Sequence, residues 1–205
     1  MAKVLVLFYS RTGNTAAIAD GVAEGARSVK FAEVDVRRLE DLAPQSVIDS
    51  VPGWKESRDA LAKKYKSLES VERLAEYDAL IFGAPTRYGI MAAELKNLID
   101  QTGPLWNRGA LVDKIGGAFT SVATPHGGHE MTLWSIMTTM AHLGMILVTP
   151  AYTDPIMFRA GSPYGATATT GGGGPTPDDL AVARHQGKRV ATVTEMIRHA
   201  KSHAH

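Results

Sequence analysis

The chain has 205 residues and a net charge of +1, with 44% hydrophobic and 21% charged residues. That balance suits one globular domain with its own core and argues against disorder or a basic nucleic-acid surface. Cysteine is absent, which excludes disulfides, thiolate metal sites and cysteine nucleophiles. The longest apolar run, residues 131–152, is interrupted by His142, Gly144 and Pro150, so no membrane insertion is expected. The first residues read directly as a strand, without a signal-peptide pattern, and the expected location is cytoplasmic.

In chain order, residues 3–9 form an apolar run rich in β formers and read as a buried strand. Helix one covers residues 15–29, with Ile18, Val22, Ala26 and Val29 on one face. A second strand at 31–36 alternates less cleanly and belongs at an edge. Residues 41–76 read as a crossover: a polar loop punctuated by Pro44, Pro52 and Gly53, then a charged amphipathic helix over 56–75. Leu61, Tyr65, Leu68 and Val71 face inward in that reading, and Trp54 anchors the helix start. Strand three is 78–83, followed by a loop over 84–89. The next helix buries Met91, Leu95, Leu98 and Ile99 and stops at Thr102-Gly103-Pro104, with Leu105-Trp106-Asn107 in a loop beyond.

Strand four is 115–122, ended by a loop over 123–128. The next helix carries Leu133, Ile136, Met137, Met140 and Leu143 as core, with His142 near its end and Gly144 as the residue that stops it. Strand five is 145–149. Residues 150–175 read as one long loop, the kind that is either a linker or functional. The last helix opens on Thr176-Pro177-Asp178-Asp179, an N-cap, a proline at N1 and acids in the first turn. Leu180, Ala183, Gly187, Val190 and Ile197 give its buried stripe, and His199, His203 and His205 read as a frayed tail rather than a metal site.

This alternation predicts an α/β fold: a doubly wound five-stranded parallel sheet of order 2-1-3-4-5, in a single domain spanning residues 1–205. Ligands in such sheets bind beyond the carboxyl ends of the strands. Three loops meet there. The first is Ser10, Arg11, Thr12, Gly13, Asn14 and Thr15. Its hydroxyls, amide and backbone N–H groups, with the positive end of the following helix, make either an anion site or an ordinary turn capped by Asn14 or Thr15. The second is Pro85, Thr86, Arg87, Tyr88 and Gly89. The third is Ser121, Val122, Ala123, Thr124, Pro125, His126, Gly127 and Gly128. Tyr88 and His126 add flat side chains, although His126 and His129 also fit as exposed loop residues. A phosphate cradle beside flat groups suits a mononucleotide. The three-glycine dinucleotide fingerprint and the P-loop lysine are missing, and the acids of a phosphoacceptor are absent from the ends of strands one and three. FMN survives this elimination.

The strings Lys3-Val4-Leu5-Val6-Leu7-Phe8-Tyr9-Ser10 and Phe82-Gly83-Ala84-Pro85-Thr86-Arg87-Tyr88-Gly89 resemble the WrbA family, as do Asp100-Gln101-Thr102-Gly103-Pro104-Leu105-Trp106 and Ser162-Pro163-Tyr164-Gly165-Ala166-Thr167. Ala141-His142-Leu143-Gly144-Met145 and Ala183-Arg184-His185-Gln186-Gly187 fit as well, so the match covers nearly the whole chain. The resemblance implies a flavodoxin-like fold and two-electron reduction of quinones to quinols with NADH or NADPH, by ping-pong hydride transfer through FMN, in a homotetramer. It places Ser10 to Thr15 on the FMN phosphate, Thr86, Arg87 and Tyr88 along the ring edge, and Ser121 to Gly127 on the ring's other side. His142 becomes a flavin-contacting and catalytic candidate, and Trp106 a wall of the substrate site. Without the resemblance, His142 serves equally as a helix C-terminal dipole partner and Trp106 as core or interface. Thr12 departs from the family, whose members often carry an aromatic residue there, and the third loop is longer by about one residue, with Pro125 and His126 in place of glycines. The rival reading is a flavodoxin-type electron carrier. Such carriers are strongly acidic, unlike this near-neutral chain.

Overall fold

A computed structural model describes residues 1–203. Its centre is a twisted sheet in which β1 (Ala2–Phe8) pairs in parallel with β2 (Ala32–Arg38) on one side and β3 (Ala79–Arg87) on the other. Beyond β3 lies β5 (Ile115–Val122), and then β6 (Ile146–Leu147), giving the order β2-β1-β3-β5-β6. A further strand, β7 (Ala166–Thr169), continues the parallel edge along the carboxyl half of β5. This is the expected doubly wound arrangement, with β2 at an edge.

Alternation along β1 builds both cores. Val4, Val6 and Phe8 point to the face covered by α1 (Asn14–Arg27) and α7 (Pro177–His203), while Leu5, Leu7 and Tyr9 point to the other. That second face is covered by α4 (Ala93–Asp100) and α6 (His129–His142). Because β1 is buried on both faces it reads as a continuous apolar run. Helices α1 and α7 meet backbone to backbone: a Cβ added at Gly25 would lie 1.8 Å from the Arg184 carbonyl oxygen, and one at Gly187 1.9 Å from that of Val22. Helix α7 starts with the expected cap, made reciprocal: the Asp179 N–H donates to Thr176 Oγ1 at 3.2 Å and the Thr176 N–H to Asp179 Oδ2 at 2.9 Å. No helix among the described residues is long and apolar enough to cross a membrane.

Five expectations are corrected. The single helix over 56–75 is instead α2 (Gln45–Ser50), α3 (Trp54–Lys64), an extended stretch and a 3₁₀ turn over Val71–Glu76. The break lets the crossover pass from one face of the sheet to the other: Leu61 and Tyr65 pack with one core, Leu68 and Val71 with the second, and Ser67 bridges to Arg38 at the end of β2. Strand three does not stop at 83 but runs to Arg87, then turns through Tyr88 and Gly89 into β4 (Ile90–Met91). Residues Leu105, Trp106 and Asn107 are not a loop but belong to α5 (Gly103–Asn107), begun by Pro104. Strand five is split: β6 keeps two ladder residues, Pro150 diverts the chain, and β7 takes its place beside β5 after a 3₁₀ turn at Pro155–Phe158. Helix α7 continues to His203, where a frayed tail is expected, and His205 lies outside the described residues.

Candidate functional site

Strand β1 delivers the chain to the carboxyl end of the sheet with its last turn of pairing intact. The Tyr9 N–H donates to the Gly83 carbonyl at 3.0 Å, so Ser10 leaves the sheet from a fixed point. The Ser10 side chain is buried, and among the described residues its hydroxyl has no hydrogen-bond partner. Gly13, at φ 87°, serves as N-cap of α1 and brings no side chain to it. The first intrahelical bond is made by the Ala17 N–H to the Gly13 carbonyl at 2.9 Å, which leaves the N–H groups of Asn14, Thr15 and Ala16 ahead of it. No acid occupies the first turn, so the positive helix end is not neutralised from within. Of the two readings of this turn, capping by Asn14 or Thr15 is therefore set aside. The buried Thr15 hydroxyl is instead shared with Ser121 Oγ at 2.7 Å, tying the first loop to the third.

The second loop is a two-residue hairpin. Tyr88 and Gly89 have φ of 53° and 86°, the pair of positive values that a type I′ turn needs. A tyrosine at such a position is strained, and its ring is fully exposed. Thr86 fixes the turn: its Oγ1 accepts from the Gly89 N–H at 3.2 Å and from Thr132 Oγ1 at 2.8 Å, and donates to the Gly127 carbonyl at 3.4 Å. Arg87 Nη1 donates to the Thr86 carbonyl at 2.9 Å. Pro85 lies in β3 opposite Ser121. The third loop leaves β5 after the buried Ser121 and Val122, exposes Ala123, Thr124, Pro125 and His126, and turns on a Gly127 N–H to Thr124 carbonyl bond of 3.0 Å. At Gly128 the second and third loops touch backbone to backbone, since a Cβ there would lie 2.7 Å from Gly89 Cα.

The three loops therefore converge as expected, and they meet Tyr9, Asp41 and Trp54, which the sequence reading did not place in the site. Asp41 Oδ1 accepts from Tyr9 Oη at 2.8 Å and from Trp54 Nε1 at 2.9 Å. Burial, followed by that bond to Asp41, pushes the Tyr9 phenol well above its usual range. The Arg11 guanidinium lies over the Trp54 ring, 4.0 Å from its centroid. His129 is half-buried in α6 rather than an exposed loop residue, bonded to Thr167 Oγ1 and, at 3.2 Å, to Thr169 Oγ1. Thr170 then bonds the Val122 carbonyl at 2.7 Å, so the end of β7 flanks the third loop. Periodicity gave no signal for Asp41 or for the bonds of Tyr9 and Trp54 to it, because they are held by tertiary hydrogen bonds rather than by position in a repeat.

His142 and Trp106 lie elsewhere. His142 closes the 14-residue α6 whose other end faces Gly89, about 20 Å along the helix from the three loops. There it lines, with Trp106, Thr138, Thr139 and Leu143, a cleft of ≈ 420 Å³. Trp106 is 57% exposed, so it is not a core side chain of this chain. One copy does not bring either residue to the cradle.

The cradle fits a phosphate monoester. A buried hydroxyl without a partner, three open N–H groups, the positive end of α1 and an adjacent arginine are the donor set that a dianion requires, and open space surrounds Gly13. Comparison with known proteins agrees with that chemistry. Residues 2–155 match the family model described as NADPH-dependent FMN reductase. The chain is 44% identical over 205 residues to an NAD(P)H dehydrogenase (quinone) of Chromohalobacter salexigens, covering 96% of this chain and 99% of the relative. It is 46% identical over 204 residues to one of Rhodopseudomonas palustris, covering 93% and 96%. Among solved structures, a WrbA-like flavodoxin from Agrobacterium tumefaciens superposes with a TM-score of 0.65 at 26% identity, over 96% of this chain and 99% of that one.

Proposed function

The chain belongs to the NADPH-dependent FMN reductase family, within the flavodoxin-like fold of the WrbA proteins, and from that premise we propose that it is an FMN-dependent NAD(P)H:quinone oxidoreductase. The observation that carries the reading is the buried, partnerless Ser10 hydroxyl at the uncapped, acid-free start of α1. Bound FMN supplies a two-electron carrier between NADH or NADPH and a quinone. The protein supplies the rest. Ser10 and the N–H groups of Asn14, Thr15 and Ala16 hold the phosphate. The Thr15–Ser121 bond keeps the first and third loops in register, and Thr86 holds the hairpin against the third loop, so that Tyr88 and residues 122–127 flank one ligand.

Nucleotide and quinone use one face in turn, which gives ping-pong kinetics. The roles of Trp106 on the substrate side and of His142 beside the flavin require a second copy of the chain, since neither reaches its own cradle. That separation, with Ile90, Met131, Trp134 and Tyr164 all left exposed, supports a homotetramer. Protein reconstituted with FMN oxidises NADH or NADPH when benzoquinone is present. Absence of turnover with both nucleotides overturns the enzyme reading, and a monomeric mass by light scattering at micromolar concentration overturns the tetramer.

A further inference from the structure

We propose that Trp54 and Asp41, both on the crossover between β2 and β3, are positioning residues: they hold the Arg11 guanidinium at the phosphate cradle, and through it the protein distinguishes FMN from riboflavin. The proposal rests on the flavin reading above and extends the site beyond its three loops.

Trp54 is the first residue of α3 and is 7% exposed. Its ring is fixed by the Nε1–H bond to Asp41 Oδ1, and the same oxygen holds the Tyr9 hydroxyl. Tyr9 directly precedes Ser10, so the platform is anchored to the strand that delivers the cradle. Arg11 Cζ lies over that platform, 4.0 Å from the ring centroid. A guanidinium held over an aromatic ring gains a cation–π attraction and still carries N–H donors for another partner. Among the described residues Arg11 makes no hydrogen bond or ion pair, and the nearby Asp41 carboxylate is engaged by Tyr9 and Trp54. A restrained cation, a partnerless buried hydroxyl and a positive helix end thus follow one another over residues 10–14, while the neighbouring carboxylates, Asp41 and Glu94, act on the Tyr9 hydroxyl and neither is paired with Arg11 among the described residues. The cation and the helix end each favour a dianion, and the hydroxyl offers it a donor. Riboflavin brings no such charge, whereas FMN does.

The test measures the affinities of FMN and riboflavin, by quenching of flavin fluorescence, for the full-length protein and for the variants Arg11→Gln, Trp54→Leu, Trp54→Phe and the Arg11→Gln/Trp54→Leu double variant. Arg11→Gln weakens FMN about tenfold or more, the loss of a charge-assisted bond, and leaves riboflavin unchanged. Trp54→Leu weakens FMN about fivefold, from the loss of the stack, again sparing riboflavin. Trp54→Phe, which keeps a ring, restores most of that loss. In the Arg11→Gln background Trp54→Leu has no further effect, because the platform then has nothing to hold. Equal losses for FMN and riboflavin in Trp54→Leu, additive effects of the two substitutions, or a shift in NADPH-against-NADH preference with the FMN-to-riboflavin ratio unmoved overturn the proposal alone. Wild-type protein that binds no FMN overturns the flavin reading and this proposal with it.

Discussion

Replacing Ser10 by alanine should move stability and cofactor affinity in opposite directions. The Ser10 hydroxyl is buried at 8% residue exposure and lacks a partner among the described residues. A buried unsatisfied hydroxyl costs about 1–3 kcal/mol, so its removal should stabilise the FMN-free protein by about 1 kcal/mol, at the low end of that range. In the proposed FMN complex the same hydroxyl donates to a charged phosphate, a bond worth about 1.5–3 kcal/mol, or about 10- to 100-fold in affinity. Free FMN at a thousand times the wild-type Kd stabilises the wild type by about 4.1 kcal/mol. A 30-fold weaker variant at that concentration gains about 2 kcal/mol. The variant is then the more stable protein without FMN and the less stable one with it, so the urea unfolding curves exchange order on adding the cofactor. Circular dichroism at matched FMN concentrations reads this directly, with riboflavin as the control under which the order seen without FMN is kept. An FMN-free variant less stable than wild type, or one that binds FMN equally well, refutes the assignment of the Ser10 hydroxyl to the phosphate.

Thr15→Val and Ser121→Ala each strand the partner's hydroxyl in a buried place, costing about 1–3 kcal/mol singly. The double variant should cost less than the sum in urea unfolding, and strict additivity would show that the two hydroxyls are not coupled. Gly25→Ala drives a methyl group into the Arg184 carbonyl and should lower stability by about 3 kcal/mol or more; an unchanged urea midpoint would contradict the backbone contact between α1 and α7. Tyr77 is pushed up from 10.0 to about 12 by burial and by its bond to Asp35. Its folded-state pKa is raised, so its contribution is complete below pH 10 and is lost as pH rises through about 12. Unfolding free energy should fall across that window, and Tyr77→Phe should flatten the fall; a variant with the wild-type alkaline slope would assign the loss to other groups.

Where local chemistry and tertiary context agree, the elements were legible from the residues. Strand β5 occupies 115–122 as read, with Ile115, Phe119, Thr120 and Val122 as its β-forming residues and with glycines where other elements pack closely. The start of α7 was announced by Thr176 and Asp179, which cap each other. Pro85 misled the reading of β3 because proline signals a loop, yet here its lack of an N–H costs nothing. The Gly83 carbonyl faces β1 and accepts from Tyr9; two residues on, Pro85 faces the same side, where β1 has already ended. The crossover pattern over 56–75 is amphipathic throughout, but periodicity does not say which face of a sheet an apolar residue covers. The chain changes faces at residues 65–67, and the single helix was lost there.

The candidate site divides in the same way. Residues that sit at the ends of consecutive parallel strands could be placed from strand order alone, so Ser10–Thr15, Pro85–Gly89 and Ser121–Gly127 converge. His142 and Trp106 could not, because their assignment came from resemblance, and a resemblance between chains carries no statement of which copy supplies a residue. Trp54 and Asp41 were invisible as site residues for the converse reason: they belong to a crossover whose sequence offers no motif, and only the bonds from Tyr9 and Trp54 to one carboxylate oxygen reveal the platform.

A crystal structure of the protein grown with FMN tests the central claim most directly. The account predicts the phosphate within hydrogen-bonding distance of Ser10 Oγ and of the Asn14 and Thr15 N–H groups, with the ring between the Tyr88 hairpin and residues 121–127. A phosphate bound away from the β1–α1 turn, or crystals in which FMN takes no ordered position there, would contradict it.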